Sequence, residues 1–130
     1  MINFQSESKR SGDEFEAKVY AVLWLNPHNS IIKNYEVPET GCEVDFLFED
    51  DKGKVYVECK GGSRGVRKRP GAERTDNVKK AIANAALIKA AIPDAYYIVY
   101  FSAPPKSGSY SDKMIKLSLK HKILDEVIYL

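Results

Sequence analysis

The sequence predicts an α/β domain: a helix, three antiparallel strands, a second helix and a strand parallel to the third, forming a mixed sheet flanked by helices. Three observations carry this. Residues 41–62, GCEVDFLFEDDKGKVYVECKGG, alternate Val, Phe and Tyr with charge around the turn residues Asp50-Asp51-Lys52-Gly53, which is the pattern of a hairpin. Residues 95–101, AYYIVYF, are apolar without interruption, as in a strand covered on both faces. Between them lies an alanine-rich helical stretch long enough for a crossover, which makes the later strand parallel to the earlier one.

Taken in order, residues 1–10 are expected to be a flexible arm. Ser11-Gly12-Asp13-Glu14 has the spacing of a capping box, and a helix follows to about residue 25, where Asn26-Pro27 stops it. Phe15, Val19, Val22 and Leu23 form its apolar stripe. Glu16 falls about 75° from the middle of that stripe and Glu14 about 125° away, at the ~100° step per residue. Glu16 is therefore the acid placed to lean over a sheet, unless it is only a solvated flank.

Residues 31–37 read as the first strand, closed by the turn Pro38-Glu39-Thr40-Gly41. In the hairpin, a loop of residues 50–53 makes Glu49 and Lys54 the closing pair. Counting back, Leu47 faces Tyr56, Asp45 faces Glu58 and Glu43 faces Lys60. Alternation then puts Val44, Phe46, Phe48, Val55, Val57 and Cys59 on the opposite, apolar face. Two opposed carboxylates stand roughly 4.5–5.5 Å apart at Cβ and repel, so they call for a cation or a shared proton. Hard oxygen ligands suit Mg²⁺, which keeps several waters and takes one or two protein carboxylates. Carboxylate, carboxylate and lysine around one ion is an arrangement for cleaving phosphodiesters. The plainer alternative is an edge kept soluble by charge, with Glu43 and Lys60 as a surface ion pair.

Residues 61–72 form a glycine-rich basic loop, expected to be flexible, carrying Arg64, Arg67, Lys68 and Arg69 directly beyond Lys60. Such a run is either a solvated loop or a cationic flap for a polyanion. Thr75 or Asp76 is expected to cap the second helix, which runs to Ile92 before Pro93 with Val78, Ile82, Ala85 and Ile92 buried. Arg74, Lys79 and Lys80 crowd its first turns, where the macrodipole disfavours cations and a phosphate would relieve them. Residues 103–110 form a loop, 111–122 a short helix and 127–130 a last strand. His121, among lysines at that helix end, reads as complementing the helix C-terminus rather than as catalytic.

Length and composition bound the rest. With 130 residues, 44% hydrophobic and 29% charged, the chain makes one domain, residues 1–130, with a real core. A net charge of +2 selects no partner by itself. The polar N-terminus has no signal-peptide pattern and no apolar run approaches the ~20 residues of a membrane helix, so a cytoplasmic protein with no membrane partner is expected. Cys42 and Cys59 are expected diagonally on one sheet face, which leaves a bridge open to them, but they read as reduced thiols.

The order of elements and the acids on them resemble the PD-(D/E)XK nuclease superfamily over residues 12–102. The matching residues are Gly-x-x-Phe-Glu ending at Glu16, Val44-Asp45, and Glu58-Cys59-Lys60. The archaeal Holliday-junction resolvases and the methylation-directed restriction endonucleases share this spacing. Val44 stands where the family name has proline. The resemblance implies a restriction-endonuclease-like αβββαβ core and a Mg²⁺-dependent DNA endonuclease, with Mn²⁺ as a substitute and no organic cofactor. It implies that Asp45 and Glu58 hold the ion with the backbone carbonyl of Cys59, and that Glu16 joins directly or through water. Lys60 would orient or deprotonate the attacking water and steady the phosphate. Arg64, Arg67, Lys68, Arg69, Arg74 and Lys79 are the expected DNA contacts. Cutting two strands or a junction needs two sites, which points to a homodimer. The alternatives are a nucleic-acid-binding module of the same fold without catalysis, a sequence-specific restriction or homing-type endonuclease, and a structural domain whose acids form ion pairs.

Overall fold

The computed structural model describes residues 4–26, 30–62 and 69–130, with the backbone alone for residues 4–11. Helix α1 (Phe4–Leu23) leads into strands β1 (Ile32–Glu36), β2 (Glu43–Asp50) and β3 (Gly53–Lys60). A short 3₁₀ turn (Gly71–Glu73) precedes helix α2 (Thr75–Ala91), strand β4 (Tyr96–Phe101), helix α3 (Tyr110–Lys120) and strand β5 (Glu126–Tyr129). One sheet runs β1-β2-β3-β4-β5, antiparallel through β3 and parallel from β3 to β5. The α/β class and the mixed sheet flanked by helices are as the sequence predicts.

Each face of the sheet carries its own core. On one side Phe15, Val19 and Leu23 of α1 pack on Phe46, Phe48, Val55, Val57, Cys59, Ile98 and Tyr100. On the other, Val78, Ala81, Ala85 and Ile88 of α2 and Ile115 of α3 cover Leu47, Tyr56, Tyr97, Val99 and Phe101. Each fully buried large side chain is worth ~1.5–3 kcal/mol of transfer free energy, so the two layers fix where α1 and α2 lie. The α2 stripe is centred on Ala81 and Ile88, and Ile82 and Ile92 sit at its margins.

Several local expectations are corrected. Helix α1 starts at Phe4, so the capping-box residues 11–14 lie inside it; the segment before them contains no glycine or proline to stop helix propagation. Neither Thr75 nor Asp76 caps α2: Arg74 stands at its N-cap, and no side chain makes a capping hydrogen bond. The hairpin turn is tighter than expected, because Asp50 pairs with Gly53, yet Glu49 with Lys54 and Leu47 with Tyr56 keep the expected register.

The larger correction concerns Val44. The β2–β3 ladder ends at Phe46 with Val57, so neither Asp45 with Glu58 nor Glu43 with Lys60 is a ladder pair. On the other edge of β2, pairing skips from Lys33–Phe46 to Tyr35–Val44, across Asn34 in the left-handed conformation at φ 50°. Alternation reverses there. Lys33 lies over Tyr20 on the α1 side, whereas Tyr35 and Val44 join the α2-side core. Cys42 packs at the α2-side core and Cys59 belongs to the α1-side core; both are free thiols. Among the described residues no helix is long and apolar enough to cross a membrane.

Candidate active site

The reversal at Asn34 and Asp45 gives the site its shape. Where β2 leaves the ladder, the side chain of Asp45 takes over a hydrogen bond that a backbone carbonyl would otherwise accept: the Cys59 N–H donates to its Oδ2 at 2.6 Å. The same carboxyl shares a hydrogen bond with Glu16, which α1 brings across from the position next to buried Phe15. Two carboxyl groups can share a hydrogen bond only if one is protonated. Accordingly, burial above all, and then the neighbouring Glu16 and Glu58 charges, push Asp45 up to about 7, against the opposing effect of the Cys59 N–H.

Close packing brings Glu16 this near. A Cβ on Gly61 would lie 2.8 Å from Cβ of Phe15, so only glycine lets α1 sit down on the end of β3. Beside Glu16, a cavity of about 260 Å³ is lined by Asp13, Tyr20, Lys33, Asn34 and Phe46. The acid thus borders a concave space, not a flat surface.

Glu58 is the most enclosed of the acids, only 3% exposed. Its Oε1 accepts from the Tyr97 hydroxyl and from Nδ2 of Asn84 at 3.3 Å, and its Oε2 meets Nζ of Lys60 at 3.1 Å. A buried carboxylate tolerates burial only when its lone pairs are matched in this way. Burial and the Glu58 charge raise the Tyr97 hydroxyl far above the ordinary tyrosine range, so it stays a donor. Lys60 remains partly exposed, with one side to Glu58 and the other to solvent.

The structure thus gathers Glu16, Asp45, Glu58, Cys59 and Lys60 from α1, β2 and β3. It does not set them in a ready coordination shell: among the described residues no group of three or more His, Cys, Asp and Glu side chains is placed to hold a metal ion. Glu58 is turned toward α2 by Tyr97 and Asn84, while Asp45 and Glu16 engage each other. The donor chemistry still fits a hard divalent ion, since every acidic donor is a carboxylate. The Cys59 thiol, raised well above its usual value by burial and the adjacent acids, supplies no thiolate.

Among the basic residues expected to contact DNA, Arg64, Arg67 and Lys68 lie outside the described residues. Arg69, Arg74 and Lys79 are exposed, Arg69 and Arg74 flanking the 3₁₀ turn and Lys79 on α2. The sequence reading omitted Tyr97 and Asn84. Signals for both were present. Tyr97 is two residues from Val99, the partner of Glu58 in a parallel ladder, and Asn84 is a polar residue next to the Ala81, Ala85 and Ile88 stripe.

No protein-family model and no curated protein matches the chain. A solved structure, that of SfsA from Pyrococcus furiosus in complex with Ca²⁺, is similar at a TM-score of 0.50 and 19% identity, over 93% of this chain and 55% of that one. This chain therefore spans about half the length of that protein, and the likeness is one of fold.

Proposed function

We propose that the chain is a nuclease domain of the PD-(D/E)XK type that hydrolyses DNA phosphodiester bonds with the help of Mg²⁺. One observation carries this reading: Glu16, Asp45 and Glu58 come from three separate segments and converge, with Lys60 beside them, despite the electrostatic cost. Carboxylates are not brought together in a half-buried place for stability, and an acid as perturbed as Asp45 marks functional sites. The motif spacing supports the same reading, as does the Ca²⁺ held by the similarly folded SfsA.

Asp45 and Glu58, with Glu16 and the Cys59 carbonyl, would hold the ion, which when bound supplies charge against the phosphate and acidifies its water. The positive charge would take the place of the proton that Asp45 shares with Glu16. Glu58 and Lys60 keep each other oriented, and Lys60 presents its ammonium to the phosphate oxygens and to the attacking water. Tyr97 and Asn84 hold Glu58 in its rotamer and exclude water from its inner side.

A second reading is a nucleic-acid-binding module of the same fold without catalysis, and the saturation of Glu58 by Tyr97, Asn84 and Lys60 favours it. Incubating supercoiled, linear and branched DNA with Mg²⁺ separates the two. Cleavage by the wild type that is lost in Asp45→Ala and Lys60→Ala supports the nuclease; cleavage equal in all three, or binding with no cleavage, overturns it. The pattern on branched against linear DNA decides whether the enzyme is structure-selective, as a junction resolvase would be.

A further inference from the structure

The N-terminal ends of α2 and α3 meet beside a second cavity, of about 320 Å³, away from the acids. Its walls carry Arg69 and Lys106, neither of which is ion-paired to a carboxylate among the described residues. Glu73, the acid on the same wall, has an interaction of its own. Ser111 lines the cavity at 3% exposure, and its hydroxyl meets Thr75 Oγ1 only at 3.5 Å, the outer limit of a hydrogen bond. No side chain makes a capping hydrogen bond at the start of α2, whose first residue, Thr75, borders the cavity.

At the rim stands Tyr110, 79% exposed, with Nζ of Lys113 5.7 Å from its ring centre. A large aromatic side chain left this open, next to unpaired cations, is the composition of a surface that stacks bases and tracks a phosphate backbone. The cavity's position agrees. The Gly71 N–H bonds to the Gly61 carbonyl and the Ala72 N–H to the Ala103 carbonyl, so the 3₁₀ turn is tied to the ends of β3 and β4. Gly71 itself sits at φ 52° with Ala103 N 2.5 Å from where a Cβ would be, which fixes that junction. The cavity therefore opens at the end of the sheet to which Lys60 leads.

We propose that this cavity seats a backbone phosphate of a nucleic-acid strand, with Tyr110 stacking on an adjoining unpaired base. The proposal rests on the nuclease reading above and names a contact of the same substrate away from the bond that is cut. Fluorescence anisotropy with a labelled oligothymidylate, in EDTA so that no cleavage occurs, tests it across a salt series. Arg69→Ala with Lys106→Ala should weaken binding about tenfold or more and reduce the salt slope by about 1.4, at ~0.7 for each cation on a single strand. Tyr110→Ala should weaken it by about tenfold, Tyr110→Phe should restore it, and a blunt duplex should be insensitive to both. Unchanged thermal melts establish that the variants, all at exposed positions, are folded. Wild-type affinity in these variants, no oligonucleotide binding by the wild type, or a site that takes inorganic phosphate alone would overturn the proposal. The nuclease reading fails separately: if the cavity variants bind normally while Asp45→Ala abolishes cleavage, only the cavity proposal falls. If binding depends on the cavity but nothing is cleaved, only the nuclease reading does.

Discussion

The Asp45 carboxylate accepts the backbone N–H of Cys59 at 2.6 Å, so a side chain stands where the β2–β3 ladder would otherwise continue. This ties the acid's position to the sheet itself: Asp45 cannot turn away without leaving a buried N–H unmatched. Its proton is retained against the pull of that N–H, because burial first, and then Glu16 and the charge of Glu58, favour the protonated form.

A pH dependence follows. In the folded chain Asp45 is pushed up to about 7, above its unfolded value, so folding favours its protonated form. The stability this contributes is fully present below the unfolded pKa and is lost as pH rises through about 7. Asp45→Asn imitates the protonated acid, still accepting from Cys59 and donating to Glu16. It should therefore melt higher than the wild type at pH 8, by on the order of 2–4 kcal/mol in stability, with the gap closing toward pH 5. Thermal melts of both proteins across that range check this; a gap that is constant or widens at low pH contradicts it.

Tyr97→Phe removes the hydroxyl that donates to Glu58 and leaves an enclosed carboxylate with Asn84 and Lys60 alone. The expected loss is about 1–3 kcal/mol, read as a lower urea midpoint at neutral pH. An unchanged midpoint would mean that Glu58 is not held as described.

Gly61→Ala forces a methyl against Phe15, 2.8 Å from its Cβ, and the neighbouring atom is near the helix backbone rather than the end of a flexible chain. Helix α1 must shift, carrying Glu16 with it. Stability should fall by about 1–3 kcal/mol. On the proposed nuclease reading, the rate of any Mg²⁺-dependent cleavage should fall further than the folded fraction explains, which steady-state assays beside urea titrations will show. A variant with wild-type rate and midpoint would show that α1 does not depend on this contact.

How far these features were legible in the sequence differs by level. Alternation and turn residues set the hairpin register, because Glu49–Lys54 and Leu47–Tyr56 follow from a short polar turn between two apolar-patterned runs. The uninterrupted apolar run at β4 and the crossover before it gave the parallel pairing for the same reason. Helical geometry placed Glu16 toward the sheet or on its solvated flank, since its angle to the Phe15–Val19–Leu23 stripe does not depend on where the helix begins; its place in the site came from the motif resemblance. What strict alternation cannot contain is its own interruption. The faces reverse at Asn34, which lies in the left-handed region, so Val44 moves to the opposite core and the Asp45 side chain takes the Cys59 N–H beyond the end of the ladder instead of facing Glu58 across it. Asparagine tolerates that conformation, but the residue type permits it without requiring it. Tyr97 and Asn84 are harder to assign: the first looks like a core residue and the second like a polar flank of the α2 stripe, until Glu58 is seen between them.

If Glu16, Asp45 and Glu58 together hold a divalent ion, as proposed, direct titration will show it without reference to any DNA substrate. Mn²⁺ added to the protein and followed by electron paramagnetic resonance should lose its free-ion signal as it binds the wild type. The signal should persist with Asp45→Ala and with Glu58→Ala. A wild type that binds no Mn²⁺, or variants that bind it as well as the wild type does, would contradict the account.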